Sequence, residues 1–205
     1  AVSFFNGIAW SKILGSGTND FNAVWYSGSN SAWLVGKNRT VYRWNGSTLT
    51  ALTGVPGSGS ANFIGVHGRA DDDVVIADEV GGWYRFKSGV WTNGNLSYTN
   101  QPYAMRAVYV DGLGKARIVG RCSNATATAK GCVGYNDPLS ASNPNTWYED
   151  LDNSASTTDG FLSVGRPVSG TTEAWVGRSP TNVVRRHLIT GTYDAIGWPG
   201  VIFMM

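Results

Sequence analysis

Charge and cysteine are both scarce in this sequence. Only 15% of its 205 residues are charged and the net charge is +2, whereas average soluble domains carry about 25% charged residues. A nucleic-acid partner requires clustered Lys and Arg, so none is expected. No run of 18 apolar residues is present, which argues against a membrane span. Glycine is abundant, with 27 residues, and 12% of residues are aromatic; this composition is typical of short β-strands joined by tight turns.

Only two cysteines occur, Cys122 and Cys132, and they flank a small, polar segment, SNATATAKG. They are either free thiols or a disulfide that pins a hairpin loop. We favour the disulfide, which persists only in an oxidising compartment. Their spacing fits neither a zinc site nor covalent haem attachment. The sequence therefore predicts a secreted or cell-surface protein with no cofactor and no bound metal.

Four segments of the sequence repeat, and each starts with an apolar strand. These strands begin at Phe21, Phe63, Met105 and Phe161, in steps of 42, 42 and 56 residues. A second strand follows in each and closes on a small residue: Gly36, Ala77, Gly120 and Gly177. Third and fourth strands surround a polar turn, most clearly in TVYRWNGSTLTAL and GWYRFKSGVWTNG. Four short strands per 40–50 residues are typical of a propeller blade, although a Greek-key β-sandwich is the structural alternative.

We therefore expect an all-β fold, a small β-propeller in which residues 1–205 form a single domain. Its blades are predicted at about 21–54, 62–97, 104–151 and 160–197. The N-terminal SFFNGIAWSKI matches YRWNGSTLTAL, so residues 1–15 correspond to the third and fourth strands of a further blade. The C-terminal WPGVIFMM lies where a fifth first strand should begin, 40 residues after Phe161. The prediction is a propeller of four to five blades whose last blade combines residues 1–15 with residues 198–205.

This last blade lacks a second strand. Three explanations stay open: the closing blade has three strands, the chain is a piece of a longer one, or a partner subunit supplies the missing strand. The third explanation implies self-association through the terminal strands.

The stretch AVWYSGSNSAWLVGKNRTVYRWNGSTL resembles the repeat of bacterial extracytoplasmic propellers of the photosystem II assembly-factor type. The stretch SASNPNTW is similar to the Asp-box of sialidase-like propellers, with Ser142 in place of the Asp and Pro144 in place of the Gly. The resemblance implies a propeller fold. Its relatives include assembly factors, glycan-binding or sialidase-type domains and adhesion modules, and fold alone does not choose among them.

Glycosidase chemistry is not expected. The Asp-box resemblance implies that a sialidase would need an arginine triad and an Arg-Ile-Pro motif, and that motif is absent. Other glycosidases need two facing carboxylates. Glu149 and Asp150 are adjacent in the sequence, so on a strand they would point to opposite faces.

Hydrolase and calcium chemistry are not expected either. His67 occupies the first-strand position that Trp25 and Tyr109 hold in neighbouring repeats, which favours a packing role over that of a general base. No G-x-S-x-G is present. The run from Asp71 to Asp73 lies in a turn and lacks the spacing of a calcium loop. We predict no catalytic residue and no enzymatic activity.

Ligands of propellers usually bind on the face that carries the loops from fourth to first strands and from second to third strands. Four positions just after the second strands would ring the axis on this face: Lys37, Asp78, Arg121 and Arg178. The residues before the first strands lie at the same edge, Tyr103 and Asp159 among them. Trp25 and Trp33 could stack on a sugar. These eight residues are the candidate ligand-binding set, although solvated rim charges without a ligand are the alternative.

Disulfide, low charge and the lack of a catalytic constellation together predict an extracellular binding or adhesion module. It would recognise a glycan or a protein partner on a cell surface through loops on one propeller face. A structural subunit or tip domain of a surface filament or pilus is one alternative, and a protein-assembly factor is another.

Overall fold

The structure is a computed structural model that describes residues 1–14, 20–28, 30–96, 104–123, 129–136, 146–151, 160–165, 173–179, 183–188 and 193–197. These residues form eighteen β-strands and one short 3₁₀ helix, Lys37–Arg39. The all-β class predicted from the repeats is confirmed. Within the described ranges there is no helix long and apolar enough to cross a membrane.

Sixteen strands form four antiparallel sheets, in each of which four strands lie side by side in chain order. The first sheet consists of β3 (Phe21–Tyr26), β4 (Ala32–Gly36), β5 (Val41–Trp44) and β6 (Leu49–Ala51). The second consists of β7 (Phe63–Ala70), β8 (Asp73–Asp78), β9 (Gly82–Lys87) and β10 (Val90–Asn95). The third consists of β11 (Ala104–Val110), β12 (Ala116–Ser123), β13 (Ala129–Asn136) and β14 (Trp147–Leu151). The fourth consists of β15 (Gly160–Gly165), β16 (Glu173–Ser179), β17 (Val183–Leu188) and β18 (Tyr193–Gly197).

Every first strand carries a register irregularity directly after its first aromatic or methionine residue. The flanking pairs are Phe21/Ala23, Phe63/Gly65, Met105/Ala107 and Phe161/Ser163. A bulge adds one residue to one strand, so it fixes which residues of different sheets are equivalent. The residues that pair with the four leading residues are Gly36, Asp78, Gly120 and Arg178.

Gly36 shows why a small residue ends β4. A Cβ atom built there would lie 1.9 Å from the backbone oxygen of Asp20. The φ of Gly36 is −168°, an extended value open to any residue, so the close approach of the backbone and not the torsion angle requires glycine. Gly120 is the equivalent in the third sheet, with a built Cβ 2.5 Å from the oxygen of Ala104.

The sheets pack face to face, and apolar side chains fill each interface. Trp33, Phe63 and Val74 lie in a cluster shared by the first two sheets. Val75 and Ile118 lie in the cluster shared by the second and third sheets. Because neighbours cover both faces, all six residues of β8 are buried, and its sequence is a continuous apolar run between two aspartates.

The first two strands, β1 (Val2–Phe5) and β2 (Trp10–Leu14), form a separate hairpin that has the local geometry of β5 and β6. The side-chain oxygen of Asn6 accepts two backbone N–H groups in the turn, as that of Asn45 does. Gly7 and Gly46 follow with φ of +96° and +93°, values that favour glycine. The sequence match between the two segments therefore reflects equal structure. Residues 198–205, the other part of the predicted closing blade, lie outside the described residues.

Cys122 and Cys132 form a disulfide across β12 and β13, with Cα atoms 5.8 Å apart. Both residues are fully buried in the cluster between the second and third sheets. The predicted disulfide is confirmed, and it joins two strands of one sheet at the base of their connection.

Candidate binding face

One edge of the sheets brings together the start of each first strand and the end of each second strand. The backbone N–H of Lys37 donates to the backbone oxygen of Asp20 (2.9 Å). In the same way, the backbone N–H of Glu79 donates to the backbone oxygen of Asn62 (3.0 Å). In the third sheet Arg121 pairs with Ala104 at the same level. We call Asp20, Lys37, Asn62, Glu79 and Arg121 the rim.

An ion pair stands at the rim of the first sheet. Lys37 Nζ lies 2.7 Å from Asp20 Oδ2, and the two side chains are 55% and 62% exposed. The hydrogen bond between them raises the pKa of Lys37 and lowers that of Asp20. Because water screens such an exposed pair, its stabilising effect is small, and both groups are accessible to a partner.

Hydrogen bonds connect the rim across three sheets. The N–H of Asn38, in the 3₁₀ helix that joins β4 to β5, donates to Asn62 Oδ1 (3.2 Å). Within the second sheet, Asn62 Nδ2 and the Asn62 N–H donate to Glu79 Oε1, both at 3.0 Å. The N–H of Met105 in the third sheet donates to the backbone oxygen of Glu79 (3.1 Å). Asn62 and Glu79 are therefore held in fixed positions, which lowers the entropy cost of binding a partner there.

Asp78 does not lie on the exposed rim that the sequence predicted for it. Its register position is that of Gly36, one residue before the position of Lys37. The side chain is 1% exposed. Its carboxylate accepts hydrogen bonds from the N–H groups of Val80 (3.0 Å) and Gly82 (2.6 Å) and from the Tyr84 hydroxyl (2.9 Å). Asp78 thus caps the turn between β8 and β9, and Glu79 takes the predicted rim position.

The predicted basic bias of the ring is also corrected by the register. Arg178 pairs with Phe161, whereas Ser179 pairs with Gly160 at the level of Arg121. The four equivalent positions are therefore Lys37, Glu79, Arg121 and Ser179, two basic, one acidic and one neutral. Of the predicted set, Lys37 and Arg121 lie at this edge, in the first and third sheets, and are exposed. Tyr103 and Asp159 lie outside the described residues.

Neither predicted tryptophan forms part of the rim. Trp33 is fully buried and packs against Phe86 and Trp91 with ring centroids 5.3 and 6.2 Å away. A buried indole has no face to offer a sugar, so that expectation is wrong for Trp33. Trp25 is half-buried and lies at the opposite end of its strand, where its ring centroid is 5.8 Å from that of His67.

His67 lies between sheets, as the packing interpretation expected. Its ring is 4.7 Å from Tyr109 in the third sheet, and its Nδ1 accepts the backbone N–H of Val110 (3.1 Å). Burial lowers the pKa of His67 from 6.5 to about 4, although a backbone hydrogen bond with Gly68 acts in the opposite direction. The imidazole is therefore neutral at pH 7 and serves as a hydrogen-bond acceptor between two sheets.

Asp71 joins the first two sheets, a role that the sequence did not reveal. Its Oδ1 accepts hydrogen bonds from Ser31 Oγ (2.5 Å) and Trp33 Nε1 (3.2 Å), and its Oδ2 pairs with Arg43. Burial raises the pKa of Asp71, but these hydrogen bonds and the Arg43 charge outweigh it and hold the pKa below its usual value. The turn position of this aspartate was predictable, whereas its partners lie 28 to 40 residues away.

Arg39, which follows the rim residue Lys37, contacts the second sheet. Its guanidinium lies over the rings of Phe63 and Tyr84, 5.1 and 4.7 Å from the centroids. It also donates to the Tyr84 hydroxyl (2.8 Å) and to the Pro56 oxygen. Since that hydroxyl in turn donates to Asp78, a chain of hydrogen bonds fixes the turn that presents Glu79.

The chemistry available on this face is hydrogen bonding and charge pairing. In the part of the chain that the structure describes, no three His, Cys, Asp or Glu side chains are grouped to hold a metal ion. The rim offers carboxylate, amide, ammonium and guanidinium groups on one rigid edge. Such a set can bind the charged side chains and the main chain of another polypeptide.

Neither a known protein family nor a curated protein matches this sequence. Solved structures do resemble it, and they are β-propellers. YCF48 bound to D1 peptide is 14% identical over 92% of this chain and 57% of its own, with a TM-score of 0.59. The WD40 domain of Toxoplasma gondii coronin is 10% identical over 92% of this chain and 47% of its own (TM-score 0.63). Streptogramin B lyase is 14% identical over 92% of this chain and 58% of its own (TM-score 0.61).

These comparisons show the fold. The four sheets of four strands match those of β-propellers, as the repeats predicted, and the chain spans about half to three fifths of the length of these structures. At 14% identity the likeness extends to architecture and no further.

Proposed function

We propose that this protein is a non-catalytic binding module that holds a peptide or protein segment on its rim. The observation that carries this proposal is the hydrogen-bonded rim, in which Asn62 and Glu79 are linked to each other and to the backbone of neighbouring sheets, and the exposed Lys37 is paired with Asp20. Function on a propeller concentrates in loops that a rigid scaffold positions. A rim that is already ordered loses little conformational entropy on binding.

The order of charges favours a polypeptide partner. Lys37 and Arg121 are basic, and Glu79 between them is acidic. A polyanion would be repelled by Glu79, whereas a peptide with both acidic and basic side chains can satisfy all three groups. A sugar is supported less well, because the buried Trp33 cannot serve as a stacking platform. YCF48, which has the same fold, is bound to a D1 peptide.

The proposal includes a location outside the cytoplasm. The disulfide between Cys122 and Cys132 would be kept reduced by cytosolic thiol systems but persists in secreted and cell-surface proteins. A partner on a cell surface, which would make the module an adhesin, is compatible with this location.

The closing blade is also part of the proposal. Residues 1–15 provide two strands with the geometry of a third and a fourth strand, and we place residues 198–205 as the first strand of the same sheet. The support is the spacing of 40 residues from Phe161. In this arrangement the terminal strands close a ring of four complete blades and one shared blade.

A peptide display experiment tests rim binding. Random peptides are selected on the purified wild-type chain, and the selected peptides are then measured by calorimetry against Lys37→Glu/Arg121→Glu. Because both substitutions reverse a rim charge, we expect an affinity loss of at least about tenfold. Lys87→Glu, at the end of β9 and on the opposite edge, is the matched control and should bind like wild type.

The result against the proposal is equal binding by both variants. That outcome would place the recognition surface elsewhere on the propeller. Selection of no peptide, together with binding to immobilised glycans that both variants retain, would reject the rim and the polypeptide partner together.

A further inference from the structure

Three charged side chains occupy equivalent positions in three consecutive sheets, and we call Lys37, Glu79 and Arg121 the rim charges. Each of them directly follows the residue that pairs with the leading residue of its first strand. The charge alternates from one sheet to the next, in the order basic, acidic, basic. Because equivalent positions in stacked sheets repeat at the distance between the sheets, the rim carries alternating charge at a regular interval.

The disulfide holds the third of these positions. Arg121 pairs with Ala104 on one side and with Gly131 on the other. Cys122 follows Arg121 and Cys132 follows Gly131, so the disulfide joins the two strands at this residue pair. Both cysteines are fully buried in the cluster that the third sheet shares with the second. The backbone at Arg121 is therefore fixed relative to the second sheet.

The interval between the rim charges follows from the packing of the sheets. Apolar clusters fill both interfaces among the first three sheets, and sheets that pack face to face in this way lie about 10 Å apart. Hydrogen bonds cross both interfaces at the rim itself, from Asn38 to Asn62 and from Met105 to Glu79, so the sheets stay in contact there. A partner that contacts all three rim charges must therefore present a side chain about every 10 Å.

Each rim charge has hydrogen-bonding capacity left for a partner. The Lys37 ammonium carries several donors, and its exposed pair with Asp20 is weakened by water. The Glu79 carboxylate accepts hydrogen bonds from Asn62, mainly at Oε1, whereas a carboxylate has about four acceptor sites. Arg121 is exposed, and its guanidinium offers a planar fork of N–H donors. The complementary partner carries acidic, basic and acidic side chains in that order.

Polyproline II is the backbone conformation whose repeat matches this interval. It has about three residues per turn and rises about 3.1 Å per residue, so every third side chain returns to the same face after about 9.3 Å. The corresponding repeat is about 6.7 Å in a β-strand and about 5.4 Å in one turn of an α-helix. An α-helix also returns to the same face after about seven residues, or about 10.5 Å. A straight helix cannot follow the arc on which the sheets of a propeller are arranged, whereas a polyproline II chain has no internal hydrogen bonds and can bend.

We propose that the rim binds a polyproline II segment in which every third residue is charged, in the pattern acidic-x-x-basic-x-x-acidic. The acidic side chains face Lys37 and Arg121, the basic one faces Glu79, and the pattern is the same in both chain directions. This inference rests on the proposed function and adds the conformation and the charge order of the partner. A polyproline II segment is largely formed before binding, and the rim is ordered as well, so both lose little conformational entropy.

Three displayed peptide libraries of equal length test the interval on the purified 205-residue chain. Each library contains a fixed Glu, Lys and Glu, and all other positions are random. In the first library every third residue is fixed (E-x-x-K-x-x-E), in the second every second residue (E-x-K-x-E), and in the third every seventh. We expect the first library to be enriched about tenfold or more over the other two, with proline accumulating at its random positions.

Two variants test the place of the basic side chain. Glu79→Gln removes the charge but keeps an oxygen that can accept the Asn62 N–H groups, so the fold should be retained, which circular dichroism verifies. A selected peptide and its copy with Gln in place of the central Lys are then compared by calorimetry. Wild type should prefer the Lys peptide by about fivefold or more, and Glu79→Gln should lose this preference. Asp72→Asn, the same change at an exposed position in the turn at the opposite edge, is the matched control and should keep it.

Several outcomes would overturn the proposal. Preferential enrichment of the second or third library would identify a β-strand or an α-helix as the partner. A full preference for Lys in Glu79→Gln would show that the basic side chain does not face Glu79. Equal enrichment of all libraries, with peptides that still lose affinity for Lys37→Glu/Arg121→Glu, would reject the polyproline II segment but leave the proposed function intact. If no library is enriched and random peptides do not bind either, both fail together.

Discussion

Acid should destabilise this protein through a single histidine between the second and third sheets. Burial holds the pKa of His67 at about 4, whereas an unfolded chain would restore the ordinary value of 6.5. Between these two pH values the unfolded state binds a proton that the folded state does not. The free energy of unfolding therefore falls as the pH falls through 6.5, and this loss levels off below about pH 4.

The size of the effect follows from the same two values. Each pKa unit by which the folded and unfolded states differ corresponds to about 1.4 kcal/mol of unfolding free energy. From pH 7.5 to pH 5 the expected loss is about 2 kcal/mol, an appreciable share of the 5–15 kcal/mol typical of a folded domain. Asp20 and Asp71 have lowered pKa values. Their contributions are therefore lost only as the pH drops below about 4, outside this interval.

Urea unfolding followed by tryptophan fluorescence, at several values between about pH 7.5 and 5, measures this loss. His67→Gln retains an acceptor for the Val110 N–H but does not titrate, so its unfolding free energy should change far less with pH. His187→Gln is the control, because the chain has two histidines. If wild type and His67→Gln lose stability in parallel as the pH falls, the assignment to His67 is refuted.

Two further predictions concern stability at neutral pH. Gly36→Ala should lower the free energy of unfolding by about 1–3 kcal/mol, because its Cβ would meet the backbone oxygen of Asp20. Gly112→Ala, where a Cβ meets nothing within 4 Å, should have little effect. Equal urea midpoints for the two variants would contradict the close-approach argument. Asp71→Ala should lower the free energy of unfolding by about 1–3 kcal/mol, because Trp33 Nε1 and Arg43 lose their acceptor. Asp72→Ala, at an exposed position, is the control. An equal loss of stability in both variants would show that Asp71 contributes only to the turn.

The features that could be predicted from the sequence are those that depend on local pattern. Each repeat contains all the information for one sheet, since neighbouring strands are joined by short turns whose residues have strong preferences. The hairpin match is the clearest case: the Asn-Gly pair at Asn6 and the pair at Asn45 produce the same turn. Trp91 and Trp147 lie in the fourth strands of two repeats, and each packs against another tryptophan.

Contacts between sheets could not be predicted in the same way. Asp71 was placed in a turn by its neighbours in the sequence, yet Ser31 and Arg43 lie in another repeat. Nothing in the pattern of one repeat specifies which side chain of the preceding repeat comes within hydrogen-bond distance. Aligning the turns of the repeats places Asp71 opposite a serine of the first repeat. The first repeat therefore contains no equivalent aspartate that could indicate the ion pair with Arg43.

Asp78 shows how a small error in register changes a functional interpretation. The second strands were aligned on their last small residue, which made Ala77 the equivalent of Gly36 and put Asp78 on the rim. The bulge after Phe63 instead pairs Phe63 with Asp78, and because side chains alternate along a strand, a shift of one residue moves a carboxylate from one face to the other. The composition of the strand could not reveal this shift. Ala77 is small enough to end a buried strand, and Asp78 can also end one because N–H groups of the turn donate to its carboxylate. The rim charge pattern, and with it the kind of partner to be sought, therefore depends on backbone pairing that only the three-dimensional structure provides.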